Sequence, residues 1–290
     1  MATNQQRREA AKRKLESQLK HRAARAKRRK FVGIGVVAGV VVVVAGVVTA
    51  LVLSKGSSNV TAAADPSASP SPSAPAPVTI PTARTPLPKR ATPLANPISC
   101  QFPADTKTPA SKPVKAPPNG DESSTGTQDV TLKTTQGDIK VTLDRSLAPC
   151  AVDSFLSLAK QGFYTDTSCH RLGTDAGLQI LQCGDPTGTG SGGPGYTYKD
   201  EIFPQLTYGR GILAMANAGA NTNGSQFFMV YGAAQLSPNY TVFGSISDDG
   251  LKVLDKVAKA GVDQSTVNPQ GGDTTGKPNL PVKFTAVAVA

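Results

Sequence analysis

Metal binding and redox chemistry need soft or titratable side chains at close spacing, and this chain of 290 residues has few of them. Its cysteines are Cys100, Cys150, Cys169 and Cys183, and its histidines are His21 and His170. No two cysteines form a C-x-x-C pair, and His21 stands apart in a basic tail. The clustered ligands of a zinc site are therefore missing, and no metal is expected. The run Gly188-Thr189-Gly190-Ser191-Gly192-Gly193 satisfies the G-x-G-x-x-G pattern of dinucleotide-binding loops. Pro194 and Gly195, however, follow where the phosphate-binding helix would have to begin, so the run reads as a mobile loop and no cofactor is expected.

The most informative stretch is Gly211-Ile212-Leu213-Ala214-Met215-Ala216-Asn217-Ala218-Gly219-Ala220-Asn221-Thr222-Asn223-Gly224-Ser225-Gln226-Phe227-Phe228. It resembles the signature of the cyclophilins. The resemblance extends to Cys169-His170-Arg171-Leu172, to Gln182-Cys183-Gly184-Asp185 and to Val242-Phe243-Gly244, and covers roughly residues 130–290. It implies a mainly β fold, an eight-stranded antiparallel barrel capped by two helices, with peptidyl-prolyl cis/trans isomerase activity.

That activity requires no nucleophile. Rotation about an amide faces a barrier of about 18 to 20 kcal/mol because the nitrogen lone pair is delocalised, and no bond is made or broken in crossing it. A cationic donor aimed at the prolyl nitrogen favours the deconjugated transition state. By the resemblance Arg171 is that donor, and Gln182 and Gln226 hold the guanidinium and the substrate backbone. Phe228 would floor the proline pocket, with Ile180 in place of a family methionine, Leu236, Ala216 and Tyr240 around it. Asn217 would offer backbone hydrogen bonds to an extended peptide. His170, turned to the other strand face, reads as structural. Two departures imply a shallower pocket: residues 173–178 are longer and more polar than the family's turn, and Gln179 falls where a pocket phenylalanine is expected. They leave a second reading open, a chaperone module that binds proline-containing chains with weak or no catalysis.

These residues need strands to carry them. Val130 and Leu132, then Ile139, Val141 and Leu143, alternate on either side of Gly137-Asp138, a hairpin pattern. Further short strands are expected at 169–172, 178–182, 212–216, 226–231, 241–245 and 283–289. Helices are expected at 151–160, where Val152, Phe155, Leu156 and Ala159 recur at helical spacing, and at 250–260, ended by Gly261. Helices that do not alternate with strands favour an antiparallel barrel over a doubly wound sheet.

Ahead of this domain the composition changes. Lys and Arg exceed Asp and Glu by 31 to 20, but twelve of the basic residues lie within residues 1–30. Charge confined to a tail argues against a nucleic-acid-binding face. Residues 31–53 carry no charge and as a helix span roughly 34 Å, enough to cross a bilayer. The run exceeds a signal peptide's apolar region, and Ala62-Ala63-Ala64 lies too far beyond it to mark cleavage. Residues 54–129 hold fifteen of the 23 prolines and read as a disordered linker, with Cys100 and Phe102 as points where it could dock back. The sequence thus divides into a basic cytoplasmic tail (1–30), a transmembrane helix (31–53), a Pro/Ser/Ala-rich linker (54–129) and an isomerase domain (130–290). Basic residues before the span keep the N-terminus inside, giving a single-pass plasma-membrane protein with an extracytoplasmic, monomeric catalytic domain acting on proline-containing polypeptides.

All four cysteines then lie where disulfides persist. Because Arg171 and Gln182 should share a face of adjacent strands, Cys169 and Cys183 fall on opposite faces, and a Cys150–Cys169 pair is expected instead. Protease added outside intact cells should cleave the linker and leave residues 1–30 protected. A soluble product beginning near Asp65 would overturn the anchor.

Overall fold

The computed structural model describes residues 79–267 and 274–290. The basic tail, the apolar span 31–53 and the first part of the linker lie outside the described residues. Among the described residues no helix is long and apolar enough to cross a membrane.

Two short strands, β1 (Ile98–Cys100) and β2 (Gly120–Glu122), pair with each other ahead of the main sheet. The hairpin follows as β3 (Thr127–Thr134) and β4 (Gly137–Asp144). Val130 lies opposite Val141 and Leu132 opposite Ile139, all four buried, while Lys133 and Lys140 point to water. Period-two alternation thus gives the strands one apolar face. The turn falls at Thr135 and Gln136, a step earlier than expected, and Gly137 opens β4 at a φ of 128°, which disfavours a side chain.

The chain continues through β5 (Arg171–Asp175), β6 (Leu178–Cys183), β7 (Ile212–Met215), β8 (Phe227–Ala234), β9 (Val242–Ile246) and β10 (Phe284–Val289). Eight strands form one antiparallel sheet in the order β10-β3-β4-β9-β7-β8-β6-β5. The sheet curls into a half-barrel. Its two edges come together just before β5, where Cys169 N–H donates to Val282 O at 2.9 Å and Phe284 N–H to Thr167 O at 2.8 Å. Phe155, Phe227, Phe243 and Phe284 fill the interior.

Two helices cover it, α1 (Pro149–Lys160) and α2 (Asp248–Ala260). Pro149 suits the first turn of α1, where its missing N–H costs nothing. Ala148 supplies no cap. Instead Glu201, 50 residues downstream of Ala151, accepts from Cys150 N–H at 3.0 Å and from Ala151 N–H at 2.8 Å. Its carboxylate sits at the positive end of the helix dipole, although burial pushes its pKa up to about 7. Helix α2 has the local cap that α1 lacks: Ser247 Oγ accepts from Gly250 N–H, Asp248 and Asp249 occupy the first turn, and Gly261 ends it at a φ of 79°.

The expectation of a disordered linker to residue 129 is corrected for residues 79–129, which pack along the half-barrel. Phe102 is 4% exposed and meets the rings of Tyr196 and Tyr198 edge-on at 5.8 and 5.7 Å. Arg90 lies over the Phe203 ring and donates to the carbonyls of Leu147 and Glu201. Lys112 Nζ donates to the carbonyls of Gly162 and Thr165, just beyond the C-terminus of α1. Composition pointed elsewhere because it counts the few apolar groups of a segment, whereas these anchors use carbonyls and rings that the folded domain supplies.

The cysteine expectation is also corrected: the disulfides are Cys100–Cys150 and Cys169–Cys183, with Cα separations of 5.4 and 4.0 Å. Counting faces fails at Cys169 because β5 starts only at Arg171. His170 N–H already donates to Gln182 O, while Cys169 turns to Val282, so strand alternation does not extend to it. Cys150 is drawn instead to the packed extension. By loop closure the pair spanning 50 residues should contribute about 4 kcal/mol and the pair spanning 14 about 3 kcal/mol. Urea unfolding of Cys100→Ser/Cys150→Ser should show the larger loss, and non-reducing peptide mapping should recover these two pairs. A Cys150–Cys169 peptide would refute the connectivity.

Candidate active site

Cross-strand register builds the site. Arg171 in β5 lies opposite Gln182 in β6, and Gln182 lies opposite Phe228 in β8. Residues directly opposite share a face, so the three form one row across three strands. Ile180 shares that face two residues from Gln182, and Gln226 shares it two residues from Phe228. Four of the expected residues are thereby fixed by pairing, and the fifth, Gln226, by its position just before β8.

Hydrogen bonds then set their orientation. Arg171 Nε donates to Thr275 Oγ1 at 2.9 Å and Nη1 to Gln182 Oε1 at 3.4 Å. Gln182 Nε2 donates to Gln226 Oε1 at 3.0 Å. Gln226 Nε2 in turn donates to the carbonyls of Gly190 and Gly192 at 2.9 and 3.0 Å. The direction of this relay is imposed from its far end. Two carbonyls can only accept, so they take the amide nitrogen of Gln226 and turn its oxygen toward Gln182. That orients the Gln182 oxygen to the guanidinium.

The two carbonyls belong to the glycine-rich loop, which Asp185 organises. Its carboxylate is fully buried and accepts from Thr187 N–H at 2.7 Å, Thr187 Oγ1 at 2.8 Å, Thr189 N–H at 3.1 Å and Gly190 N–H at 2.6 Å. Burial pushes this carboxyl up, but the donors outweigh it and hold the group below its usual range. A Cβ at Gly192 would stand 2.0 Å from Asp185 Oδ1, so this close approach needs glycine. The G-x-G-x-x-G run is thus a carboxylate-centred loop and not a phosphate cradle.

Phe228 is 2% and Ile180 3% exposed. Tyr240, half-buried, stands edge-on to Phe228 at 5.6 Å between ring centroids. Tyr208 locks Tyr240 in place, its hydroxyl donating to Tyr240 O and accepting from Tyr240 N–H. Leu236 is half-buried against the same core. Ala216 N–H donates to Gln226 O, and the Asn217 side chain donates to Asn239 O at 2.9 Å. Beyond the glutamines opens a cavity of about 660 Å³, lined by Gln182, Gln226, Ala216 and Asn217 on one side and by residues 104–108 on another.

Within residues 173–178, β5 and β6 take up all but Ala176 and Gly177, which form a two-residue turn. Gln179 turns toward β8. Its side chain fills a bulge of β8 at Gly232, accepting from Ala233 N–H at 3.0 Å and donating to Thr79 O at 2.7 Å. The His170 imidazole lies beside Gly190 of the glycine-rich loop, and burial pulls its pKa down. Thr275, Asp185 and Tyr208 were missed. Asp185 lay within a quoted motif, but nothing local marks Thr275, which reaches Arg171 only through the Leu172–Gly276 bridge.

An arginine held by a threonine hydroxyl and a glutamine amide thus stands in register with a buried aromatic ring, beside an open cavity. The family is shown by comparison: residues 129–286 match the model of the cyclophilin type peptidyl-prolyl cis-trans isomerases, and the chain belongs to that family. A Mycobacterium tuberculosis protein named "Probable peptidyl-prolyl cis-trans isomerase B" is 48% identical over 202 residues, covering 65% of this chain and 63% of the relative. The Mycobacterium leprae protein of the same name is 47% identical over 178 residues, covering 57% and 60%. The matched region is thus under two thirds of the length of these relatives. A solved Cryptosporidium parvum cyclophilin type isomerase shares 36% identity at a TM-score of 0.49, covering 57% of this chain and 98% of its own.

Asp185→Asn keeps the shape but loses the charge and part of the accepting capacity, so it should loosen the loop and lower kcat/KM on an X-Pro peptide about 10-fold, the equivalent of one hydrogen bond to a charged group. The folded pKa is depressed, so this stability is present above the ordinary aspartate value of about 3.9 and is lost as pH falls through the folded value. The contribution of Asp185 to the pH profile should therefore be flat from pH 6 to 8. A variant with the parent's rate would show that the loop holds without the carboxylate.

Proposed function

We propose that this chain is a peptidyl-prolyl cis/trans isomerase that accelerates X-Pro isomerisation in proteins folding outside the cytoplasm, tethered by residues 31–53. The Arg171–Gln182–Gln226 relay in register with Phe228 carries this reading. The proline ring rests on Phe228, between Ile180, Leu236 and Tyr240, where burial of the apolar ring supplies affinity. The Arg171 guanidinium then faces the prolyl nitrogen. As the amide twists, its lone pair localises on nitrogen, and a donor already fixed in place stabilises that charge without reorganising. Thr275 and Gln182 fix the plane of the guanidinium. Gln226 and the backbone at Ala216 and Asn217 hold the peptide extended, so that rotation is confined to the one bond. Uncatalysed X-Pro isomerisation takes roughly tens to hundreds of seconds, slow enough to limit folding of secreted chains.

The tether reading rests on the 23-residue uncharged run behind twelve basic residues. The binding-module alternative drew its support from Gln179 and the longer segment 173–178, and turnover of an X-Pro peptide distinguishes it from the isomerase.

Arg171→Ala should lower kcat/KM by about 100 to 1,000 fold, by analogy with losing one preorganised donor. Arg171→Lys should recover little, because an ammonium lacks the planar fork that Gln182 and Thr275 hold. A protease-coupled assay on a short X-Pro peptide measures both. If Arg171→Ala keeps the parent's circular dichroism spectrum and the parent's rate, the mechanism fails and the binding module becomes the better reading.

A further inference from the structure

The cavity beside the catalytic row has a wall that the family match, which begins at residue 129, does not include. Residues 103–111 of the extension run antiparallel to the loop after the glycine-rich segment. Thr197 N–H donates to Pro103 O at 3.1 Å, Asp105 N–H to Gly195 O at 2.9 Å and Ser111 N–H to Gly193 O at 2.9 Å. Gly193 N–H returns a bond to Ser111 Oγ at 3.0 Å. Gly195 allows the close approach, since a Cβ there would stand 2.7 Å from Ala110 N. Phe102 and the Cys100–Cys150 disulfide anchor the segment just upstream. This wall is therefore built into the fold.

Between its anchors the segment lines the cavity opposite Ala216 and Asn217 and brings two charges to it, Asp105 and Lys107. They are not equivalent. The Asp105 carboxylate accepts from the backbone N–H of Lys107 at 2.8 Å, and hydrogen bonds from Lys107 and Thr108 hold it below its usual pKa range. It is committed to its own turn. Lys107 carries its ammonium on a flexible four-carbon stem at the exposed rim.

On the isomerase reading, Gln226 and the backbone at Ala216 and Asn217 hold the peptide extended, and these residues also line the cavity, so the chain that runs along them from the proline passes the wall. We propose that residues 104–108 form a substrate-selecting wall and that Lys107 favours polypeptides with an acidic side chain at the second or third residue before the proline. This rests on the isomerase reading of the same site.

The test compares peptides carrying Glu, Ala or Lys at those two positions, with the parent, Lys107→Glu and Asp105→Asn proteins. Exposed ion pairs are weak, so the parent should favour Glu over Lys by about 2- to 5-fold in kcat/KM, less in high salt. Lys107→Glu should invert the order. Asp105→Asn, which retains the capacity for the turn, should strengthen the acidic preference. Neither substitution should change the rate on the alanine peptide. An identical Glu-to-Lys ratio in all three proteins, with normal turnover of the alanine peptide, overturns the proposal. Fluorescence anisotropy with the same peptides separates the two readings: absent turnover with affinities that still follow the charge order would sink the isomerase and support the wall, whereas affinities indifferent to charge would sink the wall.

Discussion

Everything that the site can do depends on the direction in which one amide points. Gln226 is held between two carbonyls that only accept and a second glutamine that must then donate, so its orientation has a single solution. That solution passes through Gln182 to Arg171 and leaves the guanidinium with a fixed plane. A donor free to rotate would have to be ordered anew in each transition state, whereas one held beforehand has met that cost during folding.

The same constraint explains why the glycine-rich loop and its buried aspartate belong to the site. A carboxylate taken out of water is costly unless its lone pairs are satisfied, and Asp185 is satisfied by the backbone and hydroxyls of the loop it closes. The loop carbonyls are thereby presented to Gln226, and the polar network is complete from buried anion to cation. Phe228 needs no such network. Its place follows from sheet register and aromatic packing against Tyr208 and Tyr240.

The extension shows that a half-barrel can use a proline-rich segment as a structural part. Residues 79–129 bring few apolar side chains, yet Phe102, Arg90 and Lys112 each occupy a position the domain had prepared, and a disulfide closes the arrangement. The consequence reaches the site, because the strand-like run that follows Phe102 forms one side of the cavity beside the row of Arg171, Gln182 and Phe228.

Strand periodicity in the hairpin, the two helices and the motifs carrying Arg171, Gln182, Gln226 and Phe228 were all legible in the sequence, because each depends on residues a few positions apart. Alternation makes an apolar face, helical spacing makes another, and a dense motif survives without knowledge of its surroundings. What the sequence could not decide were relations between distant segments: Thr275 beside Arg171, Glu201 capping α1, Gln179 buried in the bulge of β8 and Cys100 reaching Cys150. The Cys169–Cys183 pair shows the same limit at short range, since counting faces presumes a regular strand and the chain leaves regularity two residues before Arg171. Local pattern determines which face a residue shows. Which partner meets that face is decided only when the sheet curls and brings remote donors and acceptors within bonding distance.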